Sequence, residues 1–184
     1  SRIKMLEKLQ PIALIEDKLD VVRVDGGTDY RRRAMARVEA YLTPWGEAAE
    51  RGLREAFDRI AETDDDDPAL VIEARTIRAR RRAGGVVWFD FAVLCGGPRS
   101  QNDYLEIARR YHTVFLSGVP RMTREMANEA RRFTWLIDVF YDHKVKLVMT
   151  AGCEAAELYR EGPQSGEFHR TVSRLIEMRT REYL

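Results

Sequence analysis

The chain has 184 residues, 45% of them hydrophobic and 33% charged, a composition that excludes fibrous and disordered classes. Its 31 basic and 30 acidic residues leave a net charge of +1, so no global field steers it to nucleic acid or a membrane. Two cysteines, Cys95 and Cys153, are too few for a disulfide scaffold and read as a reducing compartment. The longest apolar stretch, Val86 to Leu94, is broken by Asp90 and is far short of the roughly 20 residues that span a bilayer. The first residue is Ser1, which leaves a trimmed methionine or a piece of a longer chain as alternatives. Among the 31 basic residues, 26 are Arg and 5 are Lys. Guanidinium forks suit phosphate, but a GC-rich genome produces the same bias, and the acidic residues balance the arginines closely.

In chain order, Met5 to Leu19 is helix-like, and Val21 to Val24 is a short β-branched run stopped by Asp25-Gly26-Gly27. Arg31 to Tyr41 can form a helix, although three arginines at its start oppose the helix dipole. Tyr41 to Pro44 reads as extended. Leu53, Phe57 and Ile60 mark an amphipathic helix over about Glu47 to Ala61. Asp64 to Asp67, followed by Pro68, is an exposed acidic break. Three extended runs follow, Ala69 to Ala74, Thr76 to Ala83 and Val86 to Cys95, with Gly84-Gly85 as a hairpin turn between the last two. Thr76, Arg78, Arg80 and Arg82 share one strand face, which is expected in water; a nucleic-acid surface is the alternative.

Beyond Cys95 the pattern changes. Gly96-Gly97-Pro98 is a turn, and Ser100 or Asn102 can cap a helix from about Asp103 to Tyr111. Thr113 to Val119 is a buried-type strand. A long helix from about Thr123 to Asp142 places Ala130, Phe133, Leu136, Ile137 and Phe140 on one face, with Trp135, Val139 and Tyr141 adding apolar area elsewhere. Lys146 to Thr150 is the next strand, followed by a short helix around Glu154 to Tyr159 and a loop over Gly162 to Gly166. A final helix, Phe168 to Tyr183, uses Phe168, Val172, Leu175 and Ile176 as its core face. Strand, helix, strand, helix, strand predicts parallel crossovers. The expected fold class is therefore α/β, with parallel-sheet crossovers in the second half, an antiparallel β-hairpin insert and a mixed α/β first half. The expected parts are 1–63, 64–95 and 96–184.

A self-contained catalytic centre is not legible. The sequence has no G-x-x-x-x-G-K-[ST] phosphate loop and no G-x-S-x-G elbow. His112, His143 and His169 are scattered rather than set at metal-ligand spacing.

Three long runs do carry a resemblance: VVWFDFAVLCGGPRSQNDYLEIARRYHTVFLSGVP (Val86 to Pro120), EARRFTWLIDVFYDHKVKLVMTA (Glu129 to Ala151) and FHRTVSRLIEMRTREYL (Phe168 to Leu184). The first half matches more loosely, through PIALI, VVRVDGGTDYRRR and the Tyr-Leu-Thr-Pro segment. In these runs the chain resembles the ZapE family of bacterial cell-division ATPases and their mitochondrial relatives. The resemblance implies a P-loop NTPase-like fold and a parent of roughly twice this length that uses ATP and Mg. The phosphate loop would lie in the parent's N-terminal half, so this chain would be the C-terminal half alone, inactive by itself and without a cofactor of its own. It further implies a bacterial, cytoplasmic protein at the division septum, with cell-division partners such as FtsZ; self-association is a further option, and nucleic acid is not expected. In such an ATPase, cations outside the phosphate loop can meet developing γ-phosphate charge. The candidates are Arg170 and Arg174, four apart on one helix face, and Arg99 in a loop opening onto a helix N-terminus. The alternatives are that the pair is pinned by carboxylates or contacts a partner, and that the loop is an ordinary capped turn. A nucleotide-independent protein-interaction module is the competing function, and an arginine-rich nucleic-acid binder is a third.

Overall fold

The structure, a computed structural model, describes residues 33–180 and 182–184. The expected Met5–Leu19 helix, the Val21–Val24 strand, the Asp25–Gly27 turn and the start of the Arg31–Tyr41 helix lie outside the described residues. Of the last, residues 33–35 are helical and the chain then turns into the sheet.

The elements are β1 (Tyr41–Leu42), α1 (Glu47–Ile60), β2 (Ala69–Ile72), β3 (Arg75–Arg78), β4 (Arg81–Ala83), β5 (Val86–Asp90), α2 (Phe91–Cys95), α3 (Gln101–Arg110), β6 (Thr113–Val119), α4 (Ala127–Asp142), β7 (Lys146–Ala151) and α5 (Phe168–Met178). The main sheet has the order β1-β7-β6-β5-β4. Its first three pairings are parallel and the last, β4 with β5, is antiparallel. β2 and β3 form a separate antiparallel hairpin. The α/β class, the crossovers through α3 and α4, and the hairpin insert therefore stand as expected, and they are consistent with a P-loop NTPase-like fold.

Both faces of the sheet are covered, which is why its central strands β5, β6 and β7 read as near-continuous apolar runs. Period-two alternation sends Val87, Phe89, Val114, Leu116, Leu147 and Met149 to the face carrying α2 to α5. The intervening Val86, Trp88, Phe115 and Val148 meet Leu53, Phe57 and Ile60 of α1 on the other. On α4 the expected face is buried, Val139 with it, while Trp135 and Tyr141 pack partly against the core.

Several boundaries differ from expectation. The Val86–Cys95 run is a strand and then a helix. Asp90 is the extended N-cap, and Phe91, Leu94 and Cys95 then bury at helical spacing. The Thr76–Ala83 run is two strands, because Ala79 donates to Pro68 O of the hairpin while Arg80 N–H turns to Trp88 O of the main sheet. Helix α3 starts at Gln101, earlier than expected, because Ser100 is the cap and Asp103 completes a capping box. The segment after Gly152 contains only a single 3₁₀ turn, Ala155–Glu157. Helix α5 stops at Met178 and buries Phe168, Thr171, Leu175 and Met178, leaving Ile176 exposed, one residue round the helix from Leu175. The acidic break is exposed yet employed: Asp65 pairs with Arg81, Asp66 accepts the N–H of Gly84, and Asp67 accepts that of Ala69.

Candidate functional site

In open α/β sheets, ligands gather at the carboxyl ends of the strands. Here that edge carries a closed polar network centred on Glu50 of α1. Its carboxylate accepts from Trp45 Nε1 at 3.0 Å, Thr150 Oγ1 at 3.1 Å, Ser117 Oγ at 3.1 Å and Arg80 Nη1 at 2.5 Å. Arg80 also reaches Asp90 through Nε at 2.6 Å, and Trp88 Nε1 donates to Ser117 Oγ at 2.8 Å. Residues from the ends of β5, β6 and β7 are thereby tied to one helical carboxylate. Burial opposes ionisation of Glu50, but the hydrogen bonds from Arg80, Ser117 and Thr150 outweigh it and hold the carboxyl below the usual range. The Arg80 guanidinium is raised: burial works against its charge, and the bonds to Asp90 and Glu50 prevail. Gly118 belongs to the same edge. Its φ of +74° sits at the irregularity in the β6–β7 register, and a Cβ there would lie 3.0 Å from the Trp45 ring. With Ser117 and Thr150 buried and both Glu50 oxygens accepting, this network holds the edge together and presents no free base or nucleophile.

The three arginines read from the sequence occupy different settings. Arg174 on α5 is ion-paired with Asp138, lies 3.7 Å from Asp142, and stacks over the Tyr141 ring at 4.9 Å, all on α4. Its side chain is 14% exposed, so it is pinned by carboxylates, one of the arrangements weighed for it. Arg170, one turn earlier, is exposed, and among the described residues its side chain has no hydrogen bond or ion pair. Arg99 donates to the carbonyl oxygens of Val93 and Pro98. Next to it, the N–H and hydroxyl of Ser100 are both taken by Asp103, so the helix N-terminus already holds a carboxylate.

Arg99 instead lines a groove of about 420 Å³ with Arg75, Asn128, Arg131, Arg132 and Trp135. Arg75 pairs with buried Asp103 at 2.5 Å, and Arg132 donates to Cys95 O at 2.8 Å. The sequence reading missed both this groove and the Glu50 network. The groove had a signal, since Asn128, Arg131, Arg132 and Trp135 fall at i, i+3, i+4 and i+7 on one face of the long helix. The Glu50 network had none, because its members are up to 100 residues apart in sequence.

Burial pushes the Cys95 thiol up to about 12, which makes it an inert packing group. Among the described residues, no helix is long and apolar enough to cross a membrane, and no cluster of three or more His, Cys, Asp or Glu could hold a metal ion.

Comparison with known proteins supplies the family. The cell division protein ZapE of Escherichia coli is 37% identical over 177 residues, 96% of this chain and 47% of the relative. Lactation elevated protein 1 homolog B of Danio rerio is 31% identical over 208 residues, 94% of this chain and 41% of that relative. The chain thus spans about half the length of these relatives or less. No solved structure matches it. The sequence model of the AFG1-like ATPases matches residues 2–184, and the chain belongs to that family.

Proposed function

We propose that this chain is the C-terminal half of a ZapE-like ATPase that hydrolyses ATP to act on protein partners in bacterial cell division. The observation that carries the reading is the 37% identity to ZapE across 96% of the chain. The sheet agrees with it, because three parallel pairings and two helical crossovers are what such an ATPase half would bring to its partner half. On this reading the protein works in the cytoplasm at the division septum, with FtsZ as a partner.

The residues described here do not themselves suit Mg and ATP. The sequence has no phosphate loop, and the two carboxylates at the strand ends, Glu50 and Asp90, are both engaged by Arg80. ATP and Mg would be held by the other half of the parent, and this chain alone would be silent. Purified chain should release phosphate from ATP only at background, and the full-length parent should turn over at around 1 s⁻¹ or more. Turnover by the chain alone would overturn the half-enzyme reading, and an inactive parent would overturn the ATPase reading.

Arg170, exposed and unpaired among the described residues, is the better placed of the two α5 arginines to meet a phosphate in the parent. Arg170→Ala should then lower ATP turnover more than ATP binding. Turnover within about threefold of wild type would remove it from the reaction, since transition-state arginines contribute on the order of 10³-fold or more.

One observation favours the competing module: Trp45 is 50% exposed at the strand-end edge. Capture of FtsZ by this chain without nucleotide, abolished by Trp45→Ala, would select that reading. Capture that requires the parent and ATP would reject it.

A further inference from the structure

The groove between α4, the start of α3 and the β2–β3 hairpin is cationic beyond local need. Four guanidiniums line it, and one of them, Arg75, is matched by Asp103. Arg99 and Arg132 donate to backbone carbonyl oxygens, and among the described residues Arg131 makes no hydrogen bond or ion pair. Among the described residues, none of these three has a carboxylate partner. Like charges gathered on one concavity repel one another, whereas an anion placed between them is held by several planar donors at once. The groove is of the size of small-ligand sites, roughly 300–1,000 Å³. Its remaining walls include Asn128 and the partly buried Trp135, and among the described residues neither the Asn128 amide nor the Trp135 indole N–H has a partner. Trp135 and Arg131 also line a second cavity of about 390 Å³, so the two side chains border both concavities.

We propose that this groove binds the phosphate of a nucleotide, free or as a unit of a single strand, with the base laid against Trp135. Guanidiniums lining one groove suit a tetrahedral oxyanion, and an indole beside them suits an uncharged planar ring, the combination used for single-stranded nucleotides. An acidic protein segment would satisfy the cations but leave the indole without a role. The proposal is independent of the ATPase reading.

The test is a titration of the chain followed by the indole N–H resonances of Trp45, Trp88 and Trp135. Trp45 and Trp88 donate to Glu50 and Ser117, so AMP should move the Trp135 signal saturably and leave the other two in place. Inorganic phosphate should reverse the shift, and adenosine should be at least about tenfold weaker than AMP, as expected for losing a charge-assisted contact. Arg131→Gln, at an exposed position without a partner among the described residues, should weaken AMP by about tenfold with the fold intact. Short single-stranded poly(dA) binding more tightly than AMP would make the source a strand; equal or weaker binding would make it the free nucleotide. The proposal fails if Trp135 does not saturate, if adenosine equals AMP, if Arg131→Gln and Arg99→Gln both bind as wild type, or if a Glu-rich peptide moves Trp135 at lower concentration than AMP.

Discussion

Arg80 and Arg131 are the same residue type in two opposite settings. Arg80 reaches the carboxylates of Glu50 and Asp90, and the Glu50 oxygens are shared with Ser117, Thr150 and Trp45. Arg131 faces a groove with Arg99 and Arg132 and has no partner of its own among the described residues. The contrast separates architecture from recognition. A guanidinium whose donors are answered within the chain adds to stability and has little left for a ligand. One held among like charges contributes little to stability and keeps its donors for something outside the chain.

That contrast can be broken by mutation, with the apolar core as the yardstick. Phe133 is fully buried on α4, between the rings of Phe91 and Phe168. Phe133→Ala should cost about 3–5 kcal/mol in denaturant unfolding; a loss under about 0.5 kcal/mol would mean that this face of α4 is not the core. Glu50→Ala should come next, at about 3 kcal/mol, because it leaves Arg80 without one of its two carboxylates and strips acceptors from two buried hydroxyls. If Glu50→Ala unfolds like wild type, the strand-end network is not structural.

The same carboxylate predicts a pH dependence. The folded-state pKa of Glu50 is depressed, so its contribution is present above the unfolded-state pKa and is lost as pH falls through the folded-state value. Glu50→Gln should therefore show a smaller loss of stability on acidification than wild type, the two curves converging at low pH. Parallel curves would remove Glu50 from the acid response.

Arg174→Ala should cost about 1–2 kcal/mol, since it removes the partner of Asp138 and a cation over Tyr141. Arg174→Lys should recover little of that, because an ammonium cannot bridge two carboxylates while stacking on a ring. The smallest effect belongs to the groove. Arg131→Gln should stay within about 0.5 kcal/mol of wild type. A loss comparable to that of Arg174→Ala would show that Arg131 has an internal partner and would erase the contrast.

Much of the α/β half was legible residue by residue. Thr113–Val119 and Lys146–Ala151 are largely apolar because both faces of the sheet are covered, and such runs cannot be mistaken for surface helix. The face of α4 was legible because five residues at helical spacing leave one geometry. Less legible were places where one apolar run serves two elements. Val86–Cys95 looks like a single strand, and the break at Asp90 exists because the chain must leave the sheet and bury Phe91 and Leu94 under α4. The face of α5 was misjudged at Ile176 for a related reason: Thr171 takes a buried position through its hydroxyl, which bonds Thr134, and so turns the helix away from its most apolar stripe.

Fold class, crossover order, the hairpin at Gly84-Gly85 and the family are all written in the chain, because each rests on local periodicity, turn chemistry or matched motifs. What each arginine does, by contrast, follows from packing in three dimensions. Charge is balanced along the chain as a whole, with 31 basic and 30 acidic residues. Whether a given guanidinium meets a carboxylate depends on which distant elements the fold brings within hydrogen-bond reach. Packing placed Glu50 beside Arg80 and Asp138 beside Arg174, and set Arg99, Arg131 and Arg132 along a common groove. Electrostatic pairing acts over a few ångströms of space rather than along the chain, so balanced composition can coexist with a locally unanswered charge.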